Sequence, residues 1–353
     1  MAVAPTFVIS TGRCGSTMLS RMLRLHPEVL SLSELFSTVR ARHPFDGSPD
    51  GAAFWRMLSE PDPAVDTMVT AGLTVSELIY PYATGRFDPA RGVPLICHMT
   101  LPMLTDDPDA LYDELAAEVP LWPVRPIAEH YRQLFTFLAG RCGRPVVVER
   151  SGGSLSLLPR LREAFPDARF VYLTRDGVDS ALSMSRHAGF RLMLMGRAAA
   201  RVTGVSGPEQ LGPAQMPLLP PEVGRMLADP AELPRLMARD VPVTAFGALW
   251  SEMTREGADE LLRLPGDRWT MLAYEQVVAD PRGQLSRLAG FLGVPANRSW
   301  LTAAAGLVDR DRRGASSRLD TRLRAALRRS CAPGTAVDAV LAAAAGVLLH
   351  VPL

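Results

Sequence analysis

Short apolar runs recur along the chain, each closed by a turn residue or a charge: PTFVIS at 5–10, VPLICHM at 93–99, PVVVER at 145–150, RFVYLTR at 169–175 and RWTMLAYE at 268–275. Each reads as a strand. The segments between them place apolar residues at helical spacing, as Met18, Leu19, Met22, Leu23 and Leu25 do after the first run. Continuous apolar strands alternating with helices predict a parallel sheet covered on both faces, which is an α/β class.

Two stretches break the alternation. Residues 40–130 mix prolines with aromatics, among them Phe54, Trp55, Tyr80, Tyr82 and Trp122, and read as helical excursions from the sheet. Residues 203–234 are so rich in Pro and Gly that long regular elements are not expected, and they read as a mobile loop or lid. Strand and helix signals resume afterwards, so residues 1–353 are expected to form one domain.

Composition narrows the chemistry. Basic and acidic side chains number 38 and 37, for a net charge of +1, which gives no whole-chain electrostatic reason for nucleic acid or an anionic membrane as partner. Every basic residue is an arginine. Schiff-base chemistry on lysine and a P-loop with its lysine are thereby excluded. The four cysteines, Cys14, Cys97, Cys142 and Cys331, are scattered, with neither a disulfide framework nor the spacing of a metal site. The first residues lack the features of a signal peptide, and AVLAAAAGVLLHVPL near the end falls short of the roughly 20 residues that span a bilayer. The expectation is a cytoplasmic protein with a buried terminal helix and no stable membrane insertion.

Two strand-to-helix junctions carry candidate chemistry. In TFVISTGRCGSTMLSRMLRL, residues 6–25, a tight turn aims backbone N–H groups and a helix N-terminus at one spot, a geometry suited to phosphate. Gly12 and Gly15 allow close approach, Ser16 and Thr17 add hydroxyls, and Arg13 adds a permanent charge with a fork of donors. The plainer reading is that Ser16 caps a helix after an ordinary turn. In RFVYLTRDGVDSALSMSRH, residues 169–187, Arg175 stands at a strand end, where ligands collect in open α/β sheets, and Ser183 lies on a helix face that could share an anion with it. The plainer reading here is a surface ion pair between Arg175 and Asp179.

Taken together, the motifs resemble those of sulfotransferases that use 3′-phosphoadenosine 5′-phosphosulfate (PAPS), in particular the bacterial, carbohydrate and tyrosyl-protein branches. TGRCGSTML followed by LHPEVLSLSELF is similar to the family's 5′-phosphosulfate loop, and TRDGVDSALS to its 3′-phosphate loop. PVVVERSGGS and LAYEQVVADPRGQLSRLAGFLGV resemble two further segments, all in the family's order. Cys14 stands where Ser is usual and Gly177 where Pro is usual, and neither change removes a charge.

The resemblance implies a P-loop-like three-layer α/β/α fold with a central parallel sheet, an acceptor cap built from the excursions, PAPS as donor with PAP as product, and no metal. It implies that Gly12, Arg13, Cys14, Gly15, Ser16 and Thr17 surround the 5′ group, that Arg175 and Ser183 bind the 3′-phosphate, and that Arg312, Arg313 and Gly314 stand in for a basic glycine-containing cofactor loop. Arg13 would stabilise charge on the leaving oxygen, and Glu34 matches the position of the catalytic base. An apolar wall beside that carboxylate would raise its pKa, while the plainer reading is a glutamate favoured at a helix start. His98 and His187 are alternative bases. Glu149 and Arg150 are expected to orient a neighbouring loop by ion pairing. Phe54, Trp55, Met57, Leu101, Met103, Trp122, Met184, Phe190, Met193 and Met195 suggest an apolar small-molecule or lipid-like acceptor, such as a secondary metabolite, although such stripes are more often core. A small-molecule kinase on a related fold and a non-catalytic nucleotide-binding protein remain the alternatives.

Overall fold

The computed structural model describes residues 4–39, 42, 45–73, 75–309 and 314–347. Its centre is a sheet of five parallel strands, β1 (Thr6–Ile9), β2 (Val29–Ser33), β3 (Val146–Arg150), β4 (Arg169–Thr174) and β5 (Trp269–Ala273), in the order β2-β3-β1-β4-β5. Side chains alternate between its faces as the pleat requires. Phe7, Ile9, Phe170 and Tyr172 enter one core, whereas Val8, Val171 and Leu173 enter the other. The second face is covered by α1 (Ser16–Arg24) through Leu19, Met22 and Leu23. The first receives the helical excursions of residues 51–142 through Phe54, Leu101, Tyr131 and Phe135. The α/β class and the parallel sheet are therefore as the apolar pattern predicts.

One expected strand is a helix. VPLICHM gives Leu95–Met99 as a short helix opened by Pro94, with Leu95, Ile96 and Cys97 buried. A short buried apolar run has the same pattern in either state, and a proline at its start supplies a helix N-terminus as readily as a strand end. The fifth strand is VLSLS instead. Ser31 and Ser33 are both buried, Ser31 donating to the Ser20 carbonyl at 3.2 Å and Ser33 to the Ser20 hydroxyl at 3.0 Å.

Residues 203–234 contain short helical turns, the longest of which, Pro221–Ala228, has eight residues. At the end of the stretch Leu233 packs in a cluster with Met68, Leu78, Ala188 and Leu236.

The helix Thr321–Ala344 buries Leu341 and Ala342, in line with an internal terminal helix; residues 348–353 of that apolar run lie outside the described residues. Among the described residues no helix is long and apolar enough to cross a membrane. The same helix is tied to the sheet by Asp338, which accepts from the Tyr172 hydroxyl at 2.6 Å and from the Thr174 hydroxyl. Burial raises the Asp338 pKa to about 6, against the pull of the two hydroxyls. Between about pH 4 and pH 6 the native carboxyl thus keeps a proton that the unfolded chain has lost. The stability it contributes is present at the acid end and disappears as pH rises through 6. Relative to Asp338→Asn, wild type should lose about 3 kcal/mol between pH 4 and pH 7, read from urea unfolding at a series of pH values.

Candidate active site

Strand order decides where a site can form. The chain leaves β1 toward β2 at one edge and leaves β4 toward β5 at the other, although β1 and β4 are neighbours. Loops after adjacent strands that diverge in this way open a crevice at the carboxyl ends of the sheet. Both candidate junctions lie there.

The β1–α1 loop is held in an unusual conformation. Gly12, Arg13 and Gly15 all have positive φ, at 84°, 58° and 85°. Gly15, not Ser16, is the N-cap of α1, and no side chain caps that end, so the plainer reading of Ser16 does not hold. Space as well as φ requires glycine: a Cβ on Gly12 would lie 2.3 Å from the Phe190 ring, and one on Gly15 would lie 2.3 Å from the Tyr274 ring. Gly15→Ala should cost about 2–4 kcal/mol through left-handed strain and overpacking. Gly140→Ala, where nothing lies within 4 Å, should not destabilise; urea midpoints of the two variants check the contrast. Cys14 is fully buried, and desolvation raises its thiol pKa, so this position lends the loop backbone and packing.

Arg175 reaches the backbone of the β1–α1 loop. It donates to the Arg13 carbonyl at 3.3 Å and lies over the Tyr274 ring, 4.8 Å from its centroid. It also pairs with Asp179 at 3.3 Å, the plainer partner that the spacing allowed. Asp179 in turn accepts from the backbone N–H groups of Gly314 and Ser316, each at 2.9 Å. Gly314 is thereby brought to the second junction; Arg312 and Arg313 lie outside the described residues. The Ser183 hydroxyl accepts from Arg13 Nε at 3.1 Å, so this side chain bridges the two junctions.

Glu34 sits beneath the loop, 5% exposed, at the start of α2 (Leu35–Thr38) with a positive φ of 59°. One carboxylate oxygen is held by Arg150, and the other accepts from the Gly152 N–H at 2.8 Å. Arg150 also donates to Ser20 at 2.9 Å and to Ser33 at 3.3 Å. The wall beside Glu34 is therefore ionic rather than apolar. Glu149 is not ion-paired as expected: it accepts from Ser151, and burial pushes its pKa up to about 8. Ser151 accepts from the N–H groups of Phe36 at 3.0 Å and Ser37 at 3.1 Å, so Glu149 secures the start of α2 through a hydroxyl.

His98 is fully buried on a helix, with Nδ1 2.9 Å from the Tyr82 hydroxyl, and burial drives its pKa down to about 4. No described hydrogen bond joins its side chain to the β1–α1 loop. Its carbonyl accepts from the N–H groups of Ile79 at 3.0 Å and Tyr80 at 3.3 Å, and so fixes the segment bearing Glu77. That glutamate is the residue the motifs did not flag. Its Oε1 takes hydrogen bonds from Arg13 at 3.1 Å and Thr17 at 3.3 Å, and His187 Nε2 lies 3.6 Å from its Oε2. Burial opposes its ionisation, but the His187 contact and the Arg13 charge prevail and pull the pKa to about 2. Of the apolar side chains offered as acceptor lining, Phe54, Trp55, Leu101 and Trp122 belong to the main cluster under the sheet, and Met184 and Phe190 to a second core, from which Phe190 touches the loop at Gly12.

No protein-family model matches the chain, and neither does any curated protein. Solved structures do. The chain is similar to the sulfotransferase domain from the curacin biosynthetic pathway, at 16% identity and a TM-score of 0.48, over 94% of this chain and 98% of that one. It is similar to the sulfotransferase domain of the Synechococcus PCC 7002 olefin synthase at 16% identity and a TM-score of 0.45, over 93% of each chain. A Mycobacterium avium sulfotransferase matches at 15% identity and a TM-score of 0.44, over 100% of this chain and 79% of that one.

Proposed function

We propose that the chain is a PAPS-dependent sulfotransferase acting on a hydroxyl or amine of an apolar small-molecule or lipid-like acceptor. The observation that carries this reading is the hydrogen bond from the Arg175 guanidinium to the Arg13 backbone carbonyl, which ties together two junctions 162 residues apart in sequence at adjacent strand ends. A loop of left-handed residues with an uncapped helix behind it, and a second arginine anchored on that loop's backbone, suit a nucleotide that is anionic at both its 5′ and 3′ positions. The motif resemblance of both junctions to the family's two phosphate loops supports the same assignment.

When bound, the donor supplies a sulfuryl group activated on a phosphate oxygen. The protein's part is to position it and to balance charge. Arg13, with the N–H groups and hydroxyls of Gly15, Ser16 and Thr17, holds the 5′ group and stabilises the negative charge left on the departing oxygen. A guanidinium does not give up its proton, so Arg13 acts by charge and hydrogen bonding and not as a general acid. Arg175 and Ser183 hold the 3′-phosphate, with Gly314 on that side. Glu34 accepts the proton of the incoming hydroxyl, and Arg150 keeps its carboxylate in place.

The test is calorimetry with 3′,5′-adenosine bisphosphate and with AMP. Wild type should prefer the bisphosphate. Arg175→Ala should weaken it about 10- to 100-fold, the worth of a charge-assisted contact, and leave AMP nearly unchanged. Equal affinity of wild type for the two nucleotides would overturn the reading.

A further inference from the structure

Glu77 presents a conflict of charge. Its carboxylate engages Arg13 and Thr17, the same two side chains that would receive the donor's 5′ group. It is ionised, and its side chain is only 12% exposed, so solvent screens it poorly. Two anions cannot share these donors within a few Å in so sheltered a place without strong repulsion. With a pKa near 2 the glutamate does not escape by taking up a proton at neutral pH.

The geometry points to Glu77 as an internal competitor for the 5′-anion site, displaced when the nucleotide binds and setting the threshold for which anions enter; this rests on the donor assignment above. Glu77 lies in a turn outside any helix or strand, so side-chain rotation releases the carboxylate without breaking an element. The backbone around it stays fixed. Leu78 packs in a cluster with Leu233 and Leu236, and the N–H groups of Ile79 and Tyr80 are bonded to the His98 carbonyl. Until it is displaced, the carboxylate keeps Arg13 extended toward Ser183 in its left-handed conformation, ready for an anion. A small inorganic anion gains only the contacts of the 5′ site and has to outbid a tethered carboxylate for those of Arg13 and Thr17. A nucleotide with two phosphates also gains Arg175, and that second foothold makes the exchange favourable. The device selects bis-anionic ligands over the free sulfate and phosphate of the cell.

The experiment measures binding of inorganic sulfate and of 3′,5′-adenosine bisphosphate to wild type, Glu77→Gln and Glu77→Ala by calorimetry, with thermal melting to show that each variant is folded. Both variants should bind the bisphosphate at least tenfold more tightly than wild type and should bind sulfate at millimolar concentration where wild type does not. Unchanged or weaker sulfate and nucleotide binding in the folded variants would overturn the inference and make Glu77 a partner of the bound state. Tighter sulfate binding in the variants with no nucleotide binding by any of the proteins would support the competing carboxylate while removing the donor assignment, so the two failures are distinguishable. Should Glu77→Gln not fold, Glu77→Ala carries the same comparison.

Discussion

Arg13→Ala should lower kcat for sulfuryl transfer about 10²–10³-fold, the usual loss when a preorganised charge is removed from a developing anion. Two features make the effect large. Arg13 is the only basic residue in the β1–α1 loop, and no lysine exists anywhere in the chain to replace it. Its left-handed backbone and its bond to Ser183 at 3.1 Å fix the guanidinium before any ligand arrives, so little of its contribution is lost to reorganisation. Arg13→Lys should recover part of the rate, because it restores the charge without the fork of donors. Initial rates with saturating PAPS and an accepted substrate measure both. Equal rates for wild type and Arg13→Ala would place the leaving-group charge elsewhere.

The second large effect is on stability. Arg150→Met removes the guanidinium that pairs with Glu34, the two side chains being only 3% and 6% exposed. The variant keeps a buried carboxylate held by the Gly152 N–H, and takes the Arg150 donor from the Ser20 and Ser33 hydroxyls. Losing one member of a buried pair costs about 3–5 kcal/mol, more than the pair itself contributes, because the stranded charge stays desolvated. Urea unfolding should show that loss in Arg150→Met and much of it recovered in Glu34→Gln/Arg150→Met, where no ion is left behind. Additive losses in the double variant would show that the pair is not energetically coupled.

How far the fold could be read from the chain follows from which signals are local. Four of the five strands were legible because each is an unbroken apolar run bounded by turn residues, a pattern that a buried parallel strand shows directly. VLSLS escaped because its serines look solvent-facing, and their satisfaction by Ser20 is a tertiary fact. LICHM misled for the opposite reason: apolar content reports burial, and burial is shared by helix and strand.

The same division runs through the site. Glycines at positive φ and arginines at strand ends leave a mark in sequence, so both junctions were found, and their meeting follows once β1 and β4 are neighbours. Glu77 leaves none, since it lies in a plain turn 60 residues from Thr17 and is carried there by the packing of the excursions. The crossed pairing, in which Ser183 serves Arg13 while Asp179 serves Arg175, equally depends on side-chain reach that spacing alone does not encode.

The sulfur in the middle of the β1–α1 loop has a bearing on life under oxidative stress. Cys14 is shut away from solvent and kept as a neutral thiol, whereas peroxide and electrophiles attack the exposed thiolate. The folded protein can thus hold a thiol inside its glycine-rich turn without offering a handle for redox damage, and damage there has to wait until the domain unfolds.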